Sequence, residues 1–240
     1  MLSKIEIKYI QSLYHKKQRQ QEGLFIAEGP KLLTELLLSD YRVQKIYAVE
    51  DWVQNNPLLT QKIKVVDEVE LQRISNLQTA NQVVAIVQQK ILIQTPIFTN
   101  KICLLLDGIQ DPGNFGTIIR IADWFGITQV ICSHDTVELY NPKVVQSTMG
   151  SFIRLNVFYE DLTTILSKVS VPIFGAFLVG TSIYEITKPN EAILVIGSEG
   201  NGISEAVLPF ITNKITIPKI GGAESLNAAV ATGIIVSHLI

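Results

Sequence analysis

Apolar positions along the chain fall into short continuous runs that alternate with helix-spaced stripes. Ile7, Ile10 and Leu13 recur at helical spacing and predict an amphipathic helix over residues 3–13. Residues 24–27 (Leu-Phe-Ile-Ala) read as a buried strand, and Glu28-Gly29-Pro30 turns the chain into a Leu-rich helix with Pro30 at its first position, where a missing N–H costs least. Residues 45–49, 62–66 and 83–87 read as further strands. A helix-like segment, 51–59, separates the first two, and Asp67-Glu-Val-Glu70 resembles a capping box that opens another helix. Strands alternating with helices predict a small α/β unit.

Residues 94–100 are polar, contain Pro96 and lack a period, which places a linker at 95–100 between a domain over 1–94 and a second over 101–240. The second pattern predicts a strand at 102–107, a helix over 114–125 and a strand at 129–132. A turn at Asn141-Pro142, a helix over 161–169 with Asp161 as its N-cap, and strands at 173–177 and 192–196 follow. A short β run ends at Pro218, Gly221-Gly222 turns the chain, and a helix begins near Ser225. These strands are almost uniformly apolar, which predicts a mostly parallel sheet covered on both faces.

Composition narrows the class. With 240 residues, 47% of them apolar, and a net charge of −2, the chain is expected to fold into a globular protein with a sizeable core. No apolar stretch is long enough to span a bilayer, and the first residues lack the character of a signal or transit peptide, so a cytoplasmic protein is expected. Cys103 and Cys132 lie inside β-like runs and predict buried free thiols. His15, His134 and His238 stand far apart, and no metal site is expected. Residues 1–99 hold 12 Lys+Arg against 10 Asp+Glu, whereas residues 100–240 hold 8 against 12. Lys4, Lys8, Lys16, Lys17 and Arg19 face only Glu6 within the first 19 residues, a local excess that suits a phosphate backbone or a plain solvated helix face.

Candidate chemistry concentrates in three strand-end loops of the second half, where ligands of parallel sheets bind. In the first, Asp107-Gly-Ile-Gln-Asp-Pro-Gly-Asn114, Asn114 falls at the expected helix N-cap. Arg120 follows on an otherwise apolar helix, either paired with a buried carboxylate or waiting for an anionic ligand. The second, Gly197-Ser198-Glu199-Gly200-Asn201-Gly202, surrounds one carboxylate with glycines that let backbone approach a flat ligand. It lacks the dinucleotide-binding spacing after a first strand, which excludes that class of oxidoreductase. The third holds Ser225 and Asn227 ahead of an Ala-rich helix, which taken alone is an ordinary capped core helix. Ala228, Ala229, Ala231 and Gly233 predict close packing against its backbone.

Together these loops resemble the SpoU (TrmH-like) family of RNA ribose 2′-O-methyltransferases in the SPOUT superfamily. Asn114-x-Gly116-x-x-x-Arg120 resembles its first motif, Gly197-x-Glu199-x-x-Gly202 its second, and Pro218 with Ser225-Leu226-Asn227 its third. Asn141-Pro-Lys143-Val-Val and Met149-Gly150 are similar to an intermediate segment. The stretch from Lys16-Lys17-x-Arg19 to Glu28-Gly29 resembles an amino-terminal substrate-binding domain of ribosomal protein L30e type.

The resemblance implies an α/β-knot, a deep trefoil that forms an S-adenosylmethionine pocket, and homodimers that pair through the knot. Gly197, Ile217 and Leu226, with Ser198, Gly202 and Pro218, would hold the methyl donor. Arg120 would be catalytic, with Asn114, Glu199, Ser225 and Asn227 ordering the site. Lys16, Lys17, Arg19, Glu28, Arg120 and Lys143 would contact structured rRNA or tRNA. Because arginine keeps its proton near neutrality, Arg120 acts either as a base activated by a neighbour or as a phosphate grip that orients the ribose. Many relatives end the third motif in Asn-Val-Ser, whereas this chain has Asn227-Ala228-Ala229 and lacks that hydroxyl. The competing reading is a catalytically silent knot protein that binds structured RNA during assembly.

Overall fold

The computed structural model describes residues 1–56 and 63–240. Contacts divide the chain into two compact units: Met1–Ile91 with Leu139–Ile153, and Leu92–Glu138 with Arg154–Ile240.

In the first unit, α1 (Lys4–Ser12) opens with a capping box between Ser3 and Glu6. α2 (Lys16–Glu22) ends at Gly23, whose left-handed φ of 63° stops the helix without a Cβ clash. β1 (Leu24–Glu28), α3 (Pro30–Leu37), β2 (Val43–Ala48), α4 (Glu50–Gln54), β3 (Ile63–Val65), α5 (Glu68–Ile74) and β4 (Val83–Gln88) complete the unit's α/β alternation. The helix expected over 51–59 begins as α4; positions 57–59 lie outside the described residues. The four strands take the order β1-β4-β2-β3, with β4 antiparallel to β1 and β2, and β2 parallel to β3. Ile10 and Leu13 of the expected helix stripe pack with Leu24, Ile26, Leu71, Ile74 and Val84 in one core.

Glu6 lies 2.8 Å from Lys64 and 3.3 Å from Lys45. The Lys64 hydrogen bond, then the one from the Ser3 N–H, lower its pKa from the ordinary 4.5 to about 2. A depressed carboxylate pKa contributes stability that is present above the unfolded value and lost as pH falls through the folded one. Glu6→Gln should therefore lower the melting temperature slightly at pH 7, with the gap to wild type closing between pH 4.5 and 2. The effect is small because the side chains remain partly solvated. A gap constant across that window in an acid melting series would show that the cluster contributes nothing.

In the second unit, β5 (Ile102–Asp107), α6 (Pro112–Trp124) and β6 (Gln129–Cys132) come first. After α7 (Pro142–Ser147), which belongs to the first unit, follow β7 (Asn156–Tyr159), α8 (Leu162–Leu166), β8 (Ile173–Ser182), β9 (Ala192–Gly197), β10 (Asn213–Thr216) and α9 (Ala228–Leu239). The six-stranded sheet has the order β10-β8-β9-β5-β6-β7, and every pairing is parallel, as the apolar strands predicted. Leu105, Ile131, Ile193 and Val195 lie in one of its cores with Leu162 and Leu166 of α8. Gly233 of α9 packs against α6, where an added Cβ would meet Ile121 at 3.4 Å, so α6 is a neighbour that the small residues admit. Among the described residues, no helix is long and apolar enough to cross a membrane.

Three expectations change. The turn expected at Asn141-Pro142 is the start of α7, with Asn141 as its cap. The segment around it returns to the first unit instead of remaining with the second. Tyr140 stacks on Phe25 with ring centroids 4.6 Å apart, and Phe152 meets Phe25 edge-on at 5.9 Å, so aromatic burial sets its place. The linker residue Ile97 exchanges backbone hydrogen bonds with the Gln129 amide at 2.9 and 2.6 Å, which ties this stretch to the second unit.

Candidate functional site

The chain's strand order reverses at the centre of the sheet, where β5 and β9 lie side by side with Asp107 opposite Gly197. A crevice at such carboxyl ends follows from the topology. In the first loop, Asp111 caps α6 by accepting the Asn114 N–H at 2.7 Å. Asn114 is therefore in the first turn, not the cap position expected from its sequence, because Asp111-Pro112 already starts the helix. Its side chain is left free to donate to Glu199 Oε1 at 2.8 Å.

The second loop closes through reciprocal backbone bonds between Ser198 and Gly202, at 3.0 and 2.9 Å. Gly202 has a φ of 68°, and a Cβ on Gly197 would lie 2.1 Å from the Gly202 carbonyl carbon. Only glycine permits that backbone crossing, and the tight loop holds Glu199 toward the third element.

α9 starts at Ala228, later than the helix expected near Ser225, and Asn227 is its cap. Asn227 Oδ1 accepts the N–H groups of Ala229 at 3.0 Å and Val230 at 3.2 Å. That use of the oxygen fixes the amide's orientation. Its Nδ2 then donates to both Asn114 Oδ1 and Glu199 Oε1, each at 2.8 Å. One Glu199 oxygen thus receives both amides, and the Ala228 N–H approaches it at 3.4 Å. The three loops are locked by one polar network in which each partner fixes the others.

A cavity of about 400 Å³ lies beside the network, bounded by the Asp107 and Ser198 loops, Asp135 and Ser204. Buried Asp107 accepts the Ser204 N–H at 2.7 Å. Asp135 and Ser204 were not anticipated, and Asp107 opened the first loop without an assigned role. No local motif marks Asp135 and Ser204, which reach the cavity only through sheet order.

Arg120 is exposed on α6 and, among the described residues, has no hydrogen-bond or ion-pair partner. Its expected pairing with a buried carboxylate is therefore absent, leaving the anion-binding alternative. Ser225 is likewise exposed and outside the network, while Ser198 and Gly202 line the cavity. Gly197, Ile217, Pro218 and Leu226 do not line it. Among the described residues, the backbone groups of residues 218–226 make no hydrogen bond, whereas the Ile217 carbonyl accepts the Thr216 hydroxyl at 3.4 Å; the N–H and C=O groups of 218–226 are therefore available to a ligand.

Of the RNA candidates, Lys16 and Lys17 are exposed on α2 and Lys143 on α7. Arg19 and Glu28 require correction. Arg19 is only 1% exposed and donates to the Leu13 carbonyl at 3.0 Å, so it braces the α1–α2 turn. Glu28 is buried and accepts from Tyr14 Oη and the Asn76 N–H, each at 3.0 Å, and from the Ser75 hydroxyl. Burial, then the Glu28 charge, raises the Tyr14 pKa and keeps that hydroxyl a donor. A charged side chain so enclosed is withdrawn from a phosphate surface.

Cys103 and Cys132 are buried free thiols, as expected; burial pushes Cys103 up to about 11 and Cys132 well upward. No group of His, Cys, Asp or Glu among the described residues is placed to hold a metal ion.

Residues 101–237 match the family model described as the SpoU rRNA Methylase family. The chain belongs to the SpoU rRNA methylase family. Residues 4–85 match the MRM3-like substrate binding domain. The chain is 30% identical to the 23S rRNA (guanosine(2553)-2′-O)-methyltransferase RlmP of Bacillus subtilis, over 98% of this chain and 95% of the relative. A TrmH-family protein from Porphyromonas gingivalis superposes with a TM-score of 0.89 at 38% identity, covering 100% of this chain and 98% of that one. An AdoMet-bound rRNA methyltransferase from Sinorhizobium meliloti gives 0.87 at 27% identity, covering 100% and 96%. The three motifs read in the sequence are therefore those of a SpoU chain, and the second unit has that family's fold.

Proposed function

We propose that this protein transfers a methyl group from S-adenosylmethionine to the ribose 2′-hydroxyl of a guanosine in 23S rRNA. The observation that carries the reading is the Asn114–Glu199–Asn227 network, which joins all three family motifs at the crevice. The Bacillus relative, similar along almost its whole length, supports the nucleotide and the RNA.

The residues present fit a methyl donor. Gly197 permits the backbone crossing, and residues 218–226 offer backbone N–H and C=O groups without a hydrogen-bond partner among the described residues. Gly197, Ser198, Gly202, Ile217, Pro218 and Leu226 would hold the donor mainly through main chain. When bound, S-adenosylmethionine supplies an electrophilic methyl on a sulfonium. Asn114, Glu199 and Asn227 hold the loops in register, and Ser225 stands at the same segment with its hydroxyl free. Arg120 grips an RNA phosphate and turns the 2′-oxygen toward the methyl. A protonated guanidinium suits this better than proton abstraction. Lys16, Lys17 and Lys143 add sequence-independent phosphate contacts.

The knot and the homodimer belong to the same reading. The chain after β10 would thread to form a trefoil, and two copies would pair through it. Exposed Leu178, Val179, Tyr184, Ile220 and Val230 support an apolar contact face on the second unit. Light scattering should give twice the chain mass, and a monomer would remove the dimer from the reading.

The direct test is incubation with rRNA from cells lacking the protein, using labelled S-adenosylmethionine, followed by mapping of 2′-O-methyl sites. Label at one 23S guanosine is expected. Donor binding without incorporation would favour the silent RNA-binding protein.

A further inference from the structure

The cavity beside the network has a feature that methyl transfer alone does not use. Its charged lining consists of Asp107, Asp111, Asp135 and Glu199, with no lysine or arginine. Such a lining disfavours a phosphate and favours a flat group that presents N–H donors. Three of the carboxylates are engaged: Asp107 by the Ser204 N–H, Asp111 by the Asn114 N–H, and Glu199 by the two amides. Asp135 has no hydrogen-bond or ion-pair partner among the described residues, and it is exposed at the cavity.

Its position is nevertheless built. Gly108, with a φ of 72°, places its backbone so close that an added Cβ would lie 3.2 Å from Asp135 Oδ2. The Gly108 N–H donates to Ser133 Oγ at 2.9 Å, and Ser133 Oγ lies 3.0 Å from Thr136 Oγ1. Thr136 also donates its N–H to the Ser133 carbonyl at 3.1 Å. With Thr136 Oγ1 also donating to the Leu106 carbonyl at 3.3 Å, the turn that carries Asp135 is pinned on both sides to the end of β5.

We propose that Asp135 reads the base of the target nucleotide, accepting the N1–H and N2–H groups of a guanine inserted into this cavity. The proposal rests on the methyl-transfer reading and adds the determinant of base choice. Only guanine presents two adjacent N–H donors on its pairing edge, which match the two oxygens of a carboxylate. Adenine and cytosine set one donor beside an acceptor, and uracil sets one donor between two acceptors, so each would turn a lone pair toward Asp135. An unstacked RNA base is read on this edge, and enzymes that act on one nucleotide commonly receive it in a pocket. The cavity, about 400 Å³, is of the size that small ligands occupy.

The test measures kcat/KM of wild type, Asp135→Asn and Asp135→Ala on RNAs carrying guanosine, inosine or adenosine at the mapped site. S-adenosylmethionine affinity is measured separately by calorimetry. Wild type should prefer guanosine to inosine, which lacks the 2-amino group, by about tenfold. Both variants should lose about tenfold on guanosine and bring the guanosine-to-inosine ratio close to one, with donor affinity unchanged. Because Asp135 is exposed, the variants should fold normally, and the calorimetry confirms it. A ratio that survives in both variants overturns the proposal. So does weakened donor binding with the ratio kept, which would assign the carboxylate to the cationic methyl donor. Absence of wild-type labelling on the guanosine RNA sinks the methyl-transfer reading and this proposal together, whereas labelling with an unaltered ratio sinks the proposal alone.

Discussion

Arg120→Ala is expected to reduce kcat/KM for RNA methylation by about a hundred- to a thousandfold, with S-adenosylmethionine affinity unchanged. The size follows from what the residue is free to do. Arg120 stands exposed on α6, the helix whose first turn anchors Asn114, and no described residue engages its guanidinium. A cation left without a protein partner on the helix that carries the first motif has an anion as its natural ligand, and the substrate is a polyanion. Misplacing the reacting ribose by an ångström costs about two orders of magnitude. Arg120→Lys keeps the charge and discards the planar fork, so it should recover only part of the loss. Full turnover by the lysine variant would eliminate bidentate positioning. Loss of donor binding in the alanine variant would instead move Arg120 to the other side of the site. Single-turnover kinetics with a separate equilibrium measurement of donor affinity separates these outcomes.

Gly197→Ala should destabilise the second unit by about 2–3 kcal/mol or more, a fall of roughly 5–10 °C in melting temperature. An added methyl would lie 2.1 Å from the Gly202 carbonyl carbon and 2.3 Å from the Ile203 nitrogen. Both obstacles are backbone, so no rotamer change relieves them. Separating the strands would break the Ser198–Gly202 bridge and carry Glu199 away from Asn114 and Asn227, so activity should fall with stability. Gly200→Ala is the internal control. Nothing lies within 4 Å of a Cβ there, and its stability should remain within about 0.5 kcal/mol of wild type. Equal melting temperatures for the two variants would show that the crossing relaxes without cost.

Much of the fold is legible along the chain because its strands are apolar runs bounded by turn residues. The strands at Ile102–Asp107 and Gln129–Cys132 and the Asp161 cap were recovered directly, and β9 within a residue. β7 was missed because Asn156–Tyr159 is short and lies at a sheet edge. The second half of β8 was missed because Leu178 and Val179 continue the apolar run only into exposed positions, and Gly180-Thr181-Ser182 then reads as a turn. α7 was mistaken for a turn because Asn141-Pro142 is a turn signal as well as a helix start.

The candidate site divides in the same way. The glycines and amides of the three motifs announce themselves by spacing, since the loop geometry tolerates few other residues. Burial does not: Lys16, Lys17 and Arg19 look alike in sequence, yet Arg19 lies beneath the turn with its guanidinium on the Leu13 carbonyl. Glu28, an RNA contact by resemblance, is enclosed by Tyr14, Ser75 and Asn76.

The alternation of strands and helices, the parallel character of the second sheet and the three loops that carry the family's motifs can all be read from the order of residues. These are properties of local spacing, written in neighbouring residues. It took the folded chain to show that one Glu199 oxygen receives both Asn114 and Asn227, that Arg120 lacks a partner among the described residues, and that Asp135 lines one cavity with Asn114 and Glu199. Strand order brings those residues together, and it is set by burial of whole faces rather than by any stretch of chain.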